Sequence, residues 1–313
     1  MRGFLLDKEG KATELPPLFS YRVQHGSGEP CDAFEVSCAY TPDMEAALYT
    51  GCRFLGAYRH ETVFLGVVDE YEAELGASGR TLSVAGRGMA ARLLDNEAEA
   101  ACYEYCTVET IIRDYVKPCG VTDIDFEDMG ACFGFTVESG ESCWKAVSDF
   151  AYFVGGVKPR FSRGGRLLLK KTAGEKRSFG PGDVASFKRN SRRFGVVSEA
   201  IVRSFDGRLV QRTRNEPFLE RGGSAKRVVT MPRKPGFDRA RYSGDYQIRR
   251  SEEGKETFAV SVAEPFAAFP GDTVHLTLPS MGVEGFFEVV ETESRADASG
   301  CGTEIILIRG GEM

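Results

Sequence analysis

The residue types that usually carry chemistry are few in this chain and poorly spaced for it. Only three histidines occur, His25, His60 and His275, and the nine cysteines include no CxxC pair. Structural zinc sites use closely spaced Cys or His pairs, so the sequence predicts no metal site. Isolated histidines give no basis for a Ser-His-Asp or Cys-His arrangement, and each is expected to be structural or exposed. We therefore expect no catalytic residue, no metal and no cofactor.

Two other patterns have both a chemical and a structural interpretation. The acidic pairs at 69–70 and 127–128 could act as acid and base, as in glycosidases, but carboxylates on an acidic surface are usually solvated. The Gly-Arg-Gly sequence at 86–88 is a faint echo of a dinucleotide-binding loop. It lacks the third glycine and a surrounding βαβ unit, so a tight turn from a strand into a short helix is the better interpretation.

Charge is unevenly distributed along the chain. The formal net charge is −6, yet residues 158–250 hold 25 basic and 8 acidic residues and carry +17, which leaves −23 for the remainder. Blocks of opposite charge indicate an electrostatic docking surface. The candidate interface or lumen residues are Lys188, Arg189, Arg192 and Arg193.

Two kinds of partner fit this basic block. One is nucleic acid that passes the four cations, and the other is an acidic surface on a neighbouring subunit or on the same chain. The block lacks the interleaved aromatic residues of single-strand binders and contains no recognisable DNA-binding motif. An acidic surface is therefore the favoured partner.

The length of 313 residues suggests two or three domains. No apolar run approaches the 20 or so residues that span a bilayer, so membrane insertion is not expected. The first ten residues have neither the apolar core nor the cleavage site of a signal peptide. The cysteines are accordingly expected to be reduced thiols of a protein made in a cytoplasm.

Hydrophobic periodicity predicts a β-rich start, a mixed middle and a β-rich end. Residues 18–96 predict short strands typical of a small barrel or sandwich, and residues 257–309 predict a meander. Between them, helices are predicted to begin after Thr107 and Ser142, the first ending at a proline. Further along, strands are predicted at 196–204 and 209–213. Residues 214–250 are rich in Arg, Gly and Pro with weak periodicity, which indicates a loop or connector.

Four segments in succession form a distinctive pattern. They are VFLGVVD at 63–69, GRTLSVAGRG at 79–88, LLDNEA at 93–98 and VETIIRDYVKPCGV at 108–121. With weaker matches at 142–171 and 257–309, they resemble the phage tail baseplate hub family, which includes late-control D proteins, the Mu-type hub and the PBSX-type prophage tail protein. The motif residues to which the resemblance gives a structural role are Gly66, Gly86, Arg87, Asn96, Pro118 and Gly120. Ala85, Gly88 and Cys119 depart from the family pattern, which usually has Ser, Asp and an aromatic residue there.

The resemblance implies an α+β, mostly β fold, with small β-barrels at the N- and C-terminal ends flanking a mixed α/β domain. The expected domains are an N-terminal tube-type barrel at 1–97, an α/β domain with two helices at 98–175 and a C-terminal β-rich part at 176–313. The last of these includes the second barrel and the basic connector at about 205–250.

The function implied is structural and not enzymatic. Hubs of this family are homotrimers whose six barrels form a ring that joins the tail tube protein to the spike protein, and DNA can pass transiently through its lumen. The resemblance therefore places the chain in a virion tail or prophage particle that is assembled in the bacterial cytoplasm.

Three alternatives remain open at this point. A tail-associated cell-wall lytic protein would need a catalytic domain beyond the hub pattern. A nucleic-acid-binding module built on 158–250 would bind DNA with a steep salt dependence. A hub or spike component of a related secretion or injection machine would share the physics of the ring.

Overall fold

The computed structural model describes residues 1–26, 32–77, 79–171, 173–234 and 236–309. Most of the elements in this part of the chain are β-strands, and the helices are short. The predicted class, α+β and mostly β, is confirmed.

The N-terminal β unit covers the first seven strands and one helix. Its elements are β1 (Arg2–Leu6), β2 (Ala12–Glu14), β3 (Leu18–Gly26), β4 (Ala33–Ala39), α1 (Glu45–Thr50), β5 (Arg53–Tyr58), β6 (Glu61–Gly76) and β7 (Gly79–Gly88). The sequence at 43–48 predicts one short helical turn, and the structure has a 3₁₀ turn at Pro42–Met44 followed by α1. The strands enclose a core in which Phe34 stacks on Phe54 with ring centroids 4.2 Å apart. The sequence Gly-Ala-Ser-Gly at 76–79 predicts a turn between β6 and β7, and one of its residues, Ser78, lies outside the described residues.

The middle unit, residues 91–171, combines helices with very short strands. Its elements are α2 (Ala91–Leu94), β8 (Ala101–Tyr103), β9 (Cys106–Thr107), α3 (Val108–Ile111), β10 (Ile124–Phe126), β11 (Ala131–Cys132), β12 (Phe135–Val137), α4 (Cys143–Phe153), β13 (Arg160–Phe161) and β14 (Leu167–Leu169). Both predicted N-caps are confirmed, because Thr107 accepts a hydrogen bond from the Thr110 amide and Ser142 accepts one from the Lys145 amide.

The first helix ends close to the predicted Pro118, one residue later at Cys119. Beyond α3, the chain continues as a π-helix at Ile112–Val116 and a 3₁₀ turn at Lys117–Cys119. Proline is tolerated in that turn because the first residues of a helical segment need no amide donor. Gly120 ends the helix, since its φ of +76° is the left-handed conformation that glycine adopts without strain.

The remaining elements form the C-terminal β unit, which is interrupted by an inserted unit at residues 192–255. β15 (Lys176–Phe179) and β16 (Val184–Ser191) come first. The inserted unit contains β17 (Glu199–Arg203), β18 (Leu209–Arg214), α5 (Glu216–Glu220), β19 (Lys226–Thr230) and α6 (Gly244–Glu252). The chain then completes the β unit with β20 (Glu256–Val262), β21 (Thr273–Leu278), β22 (Val283–Asp297) and β23 (Gly300–Arg309).

The strands predicted at 196–204 and 209–213 are confirmed as β17 and β18, but the loop or connector predicted over 214–250 is wrong, because α5, β19 and α6 lie there. Strands β18, β17 and β19 form a three-stranded sheet, and α6 packs against it. Periodicity misses β19 because four of its five side chains are exposed, so its sequence shows no buried apolar face.

One sheet joins the two β units. Its strand order is β16-β20-β23-β22-β3-β4-β7-β6-β5-β1-β2, with β21 and β15 attached beside β22. β22 makes the junction, because residues 283–288 pair with β21 whereas residues 291–296 pair antiparallel with β3. Across this junction, Arg22 binds Glu293 at 2.7 Å and Gln24 donates to Glu291 at 2.6 Å.

Candidate assembly interface

Arg87 fixes the N-terminal β unit to the start of the middle unit. The residue lies near the end of β7, and its guanidinium makes two hydrogen bonds to Asp69 of β6, at 2.7 and 2.9 Å. It makes two more to Asp95, which follows α2, both at 2.8 Å. Bidentate pairs of this kind are strong and directional. Hydrogen bonding to Arg87 holds the pKa of Asp95 below its usual value.

Gly66 and Gly86 permit close backbone contact between β6 and β7. A Cβ on Gly86 would lie 2.0 Å from the Val67 carbonyl oxygen, and one on Gly66 would lie 2.2 Å from the Arg87 carbonyl oxygen. The contacts coincide with a β-bulge between Val68 and Glu70. The Gly-Arg-Gly sequence at 86–88 is therefore part of strand β7, and the predicted tight turn at that position is wrong.

The other motif residues continue this junction into the middle unit. Asn96 donates to the Arg92 carbonyl at 2.6 Å, and its own carbonyl accepts from the Cys143 amide at 2.8 Å. Arg92 in turn donates to the carbonyl of Gly120 at 3.2 Å. These motif residues thus lie along the connection between the N-terminal β unit and the middle unit, where their role is structural.

The four predicted cations lie together at the opposite end of the large sheet. Lys188 and Arg189 are in β16, Arg192 and Arg193 follow it directly, and all four are exposed. We call them the basic edge, because β16 is the terminal strand of the sheet and pairs only with β20 in the described part of the chain. Charged side chains on such a strand discourage indiscriminate pairing with other strands.

Only one of these cations is neutralised within the described residues. Arg189 donates to Glu256 at 2.9 Å, and its guanidinium lies 5.7 Å from the centre of the Phe258 ring. Arg309 shares the same carboxylate at 3.2 Å, and these contacts lower the pKa of Glu256 against the opposing effect of burial. Lys188, Arg192 and Arg193 have no acidic partner within 4.0 Å among the residues that the structure describes.

A second cationic surface, which the sequence did not single out, lies on the inserted unit. Gln211 and Thr213 of β18 face α6, since the Gly244 amide donates to Gln211 at 3.0 Å and Gly244 lies against Thr213. The intervening Arg212 and its neighbour Arg214 must face the other way, because side chains alternate along a strand. This surface could have been predicted from the sequence, because polar and basic residues alternate over 211–214.

A buried carboxylate organises this basic face of the inserted unit. Glu199, at the start of β17, is only 8% exposed. Arg212 lies 3.5 Å from it on one side and Lys226 lies 3.4 Å from it on the other. One acidic group therefore balances two cations, and the face retains an excess of positive charge.

An acidic hairpin gives the molecule a surface of opposite sign. The first half of β6 is largely buried, but every described residue from Asp69 to Gly76 is exposed. This extension of β6 pairs with β7, whose Leu82 and Val84 side chains remain in the core. Glu70, Glu72 and Glu74 alternate along this extension with Tyr71 and the 78% exposed Leu75. An acidic surface with exposed apolar side chains is typical of a docking element.

The described residues offer no metal site and no membrane span. They contain no group of three or more His, Cys, Asp or Glu side chains placed to hold a metal ion. None of their helices is long and apolar enough to cross a membrane. Eight of the nine cysteines are described, all as free thiols, and Cys31 lies outside the described residues.

Comparison by sequence gives no relative, whereas comparison by structure gives several. No family model matches the chain, and no curated protein matches its sequence. A tail protein from Neisseria meningitidis MC58 is 14% identical with a TM-score of 0.75, over 99% of this chain and 96% of that protein. The 43 kDa tail protein of prophage MuSo2 from Shewanella oneidensis is 17% identical with a TM-score of 0.77, over 99% and 98%.

A third similar structure comes from a secretion system. The E. coli c3393 protein is a component of the type VI secretion system with structural similarity to the T4 bacteriophage tail proteins gp27 and gp5. It is 10% identical to this chain with a TM-score of 0.60, over 94% of this chain and 74% of that protein. These likenesses confirm, for the fold, the resemblance drawn from the sequence motifs: the chain has the fold of phage tail proteins over nearly its whole length.

Proposed function

We propose that the protein is a structural baseplate hub subunit of a contractile phage tail or of a prophage- or tailocin-like particle. In this role it forms a homotrimeric ring that joins the tail tube to the spike. The observation that carries the proposal is the full-length match to two phage tail proteins, in which almost no residue of either protein is left over.

The proposed partners are two more copies of the chain, the tail tube protein and the spike protein. DNA would pass transiently through the ring without being held by it. The protein would be made in the bacterial cytoplasm and would act in the particle as a binding and scaffolding component without catalysis or cofactor.

The distribution of charge supports self-assembly. The basic edge keeps three cations without an acidic partner in the described chain, while the acidic hairpin exposes three glutamates. Complementary patches of this kind accelerate encounter and fix the register between subunits. We infer that Lys188, Arg189, Arg192 and Arg193 contribute to a subunit or tube interface.

The domain boundaries proposed from the sequence are compatible with this assembly. The boundary at 97/98 falls between α2 and β8, and the boundary at 175/176 falls directly before β15. Domains 1–97 and 176–313 would each supply one barrel to the ring, and limited proteolysis that cuts at these two positions would support the division.

Light scattering coupled to size exclusion, over a concentration series, tests the proposal. We expect a species near three times 34.3 kDa that becomes more populated with concentration. A chain that stays monomeric, both alone and when mixed with its tube and spike proteins, would contradict the hub role.

The second candidate is the corresponding component of a secretion or injection machine. The likeness to the E. coli secretion protein favours it, since that match covers 94% of this chain. A cell-wall lytic role lacks such support, and clearing of purified cell wall in a zymogram would be needed to revive it. A DNA-binding role would require a high affinity with a steep salt dependence, whereas a lumen that lets DNA slide predicts weak binding.

A further inference from the structure

The middle unit holds five of the nine cysteines, and some of them lie close together. They are Cys102, Cys106, Cys119, Cys132 and Cys143, and all five are free thiols. The structural role proposed above uses none of them. A pair of thiols in contact is a potential modification site, because it can be oxidised to a disulfide without a third residue.

Cys106 and Cys132 face each other across two antiparallel strands. In the register of β9 with β11, Cys132 lies directly opposite Cys106 and Ala131 lies opposite Thr107. Directly opposed residues of an antiparallel pair have Cα atoms about 4.5–5.5 Å apart. That separation lies within the range of about 4.4–6.8 Å that a disulfide bridges without backbone movement.

The two side chains also point to the same side of the strand pair. Cys106 is completely buried in the hydrophobic core of the middle unit, and Cys132 is partly buried against the same core. Their sulfur atoms are therefore on the same face, with one shielded from solvent and the other accessible.

We propose that Cys106 and Cys132 form a cross-strand disulfide when the protein meets a disulfide oxidant such as oxidised glutathione. The bond would close a loop over residues 106–132, which carries α3, the π-helix and β10, and would lock these elements to the core of the middle unit. This inference goes beyond the proposed function and does not depend on it.

The reaction is two successive thiol–disulfide exchanges. The thiolate of the accessible Cys132 attacks one sulfur of oxidised glutathione, which forms a mixed disulfide and releases one glutathione thiolate. The thiolate of Cys106 then attacks the Cys132 sulfur and releases the second glutathione. Two protein thiols have then lost two electrons and two protons in total, and the glutathione disulfide has been reduced to two thiols.

Burial controls the rate of this reaction. It raises the pKa of the Cys106 thiol to about 12 and also raises the pKa of Cys132. Because only the thiolate attacks, the second exchange is slow at neutral pH and its rate increases about tenfold per pH unit below that pKa. The same burial protects the completed bond from reductants.

Peptide mapping of the full-length protein tests the proposal. The reduced protein is incubated at pH 8 with oxidised or reduced glutathione, blocked with an alkylating agent and digested without reductant. We expect a cross-linked peptide that contains Cys106 and Cys132, lighter by two hydrogen masses than the sum of its parts. Thermal unfolding of the oxidised protein should shift upward by roughly 5–10 °C, because the closed loop restricts the unfolded chain.

Cys132→Ser should abolish both the cross-linked peptide and the thermal shift. The matched control is Cys102→Ser, in the neighbouring strand pair opposite Thr136, which should keep both. Glutathione that remains bound at Cys132, or a map that joins Cys119 to Cys143, which pack in the same core, would overturn the proposal. The map of the unmodified chain decides between these outcomes even if the serine variant folds poorly.

Discussion

A single arginine, Arg87, connects three parts of the sequence motif. Its guanidinium binds Asp69, at the end of VFLGVVD, and Asp95, inside LLDNEA. Four hydrogen bonds therefore join these segments of the motif at one point. The sequence identified Arg87 as structural by resemblance, but it did not reveal the two carboxylates as its partners. Asp69 in particular had an alternative interpretation as half of an acid–base pair, and its contact with Arg87 gives it a structural role.

Replacing Arg87 with alanine should lower the free energy of unfolding by about 1–3 kcal/mol, since hydrogen bonds to charged groups are lost and two carboxylates are left facing each other. Urea unfolding followed by circular dichroism measures this change. Arg2→Ala is the matched control, because Arg2 also makes a bidentate pair, with Glu14, but its side chain is 64% exposed. An equal loss in the two variants would show that Arg87 does not hold the units together.

The buried His25 makes the stability of the folded protein depend on pH. Burial lowers the pKa of His25 to about 4, and its ring packs between Phe64 and Phe269. In the unfolded chain the His25 side chain binds a proton near pH 6.5, whereas in the folded chain it does so only near pH 4. The contribution of His25 to stability therefore falls as the pH drops through this window. The loss attributable to His25 is about 3 kcal/mol at pH 4.

Unfolding measured from pH 7 to pH 4 checks this effect. Between pH 7 and pH 4, the free energy of unfolding of His25→Leu should fall less than that of the wild type, whatever the stability of the variant at pH 7. His60→Gln, at an exposed position, should retain the wild-type slope. A slope that is identical in all three proteins would mean that His25 does not drive the acid sensitivity.

At the scale of elements, the sequence predicts individual helices and strands but not which strands pair with each other. Helices were predicted near their observed positions from the caps Thr107 and Ser142. Strands were predicted from the alternation along β7 and β21. The pairing of β3 with β22 could not be read in this way, because alternation defines the faces of a strand and says nothing about its neighbour. Strand β19 of the inserted unit was not predicted, because four of its five side chains are exposed.

The close contact between β6 and β7 requires glycine at position 86. Gly86→Ala should destabilise the protein by about 2–4 kcal/mol, because the new methyl group would overlap the Val67 carbonyl and force β6 away from β7. Gly182→Ala, at a position with no atom within 4 Å of the added carbon, should change stability little. Thermal unfolding of the two variants decides, and a neutral Gly86→Ala would contradict the close-contact explanation.

At the scale of the whole molecule, the opposite charges of the two surfaces matter more than the small net charge. The composition revealed the two blocks but could not locate them, because residues distant in sequence meet on the folded surface. The structure assigns the positive charge to a sheet edge and to one face of the inserted unit, and part of the negative charge to the exposed half of β6 in the acidic hairpin.

The double variant Arg192→Glu with Arg193→Glu should weaken self-assembly, and raising the salt from about 0.05 to 0.5 M should weaken it in the wild type, because exposed charges are screened. Lys8→Glu with Lys11→Glu changes the net charge equally at a distant turn and should leave assembly intact. Light scattering at matched concentrations compares the three proteins. Equal weakening by both double variants would indicate a general charge effect and not a defined interface.

The junction made by β22 has a consequence for how the protein is synthesised. Arg22 and Glu293, which are bound across it, are 271 positions apart in the chain. Contacts between such distant residues slow folding, and the edge of β3 has no partner until its complement has been translated. The core of the N-terminal β unit can therefore form early during synthesis. The pairing of β3 with β22, however, must wait until nearly the entire polypeptide has emerged from the ribosome. A nascent chain truncated before residue 291 should accordingly be the form most prone to aggregate or to recruit chaperones.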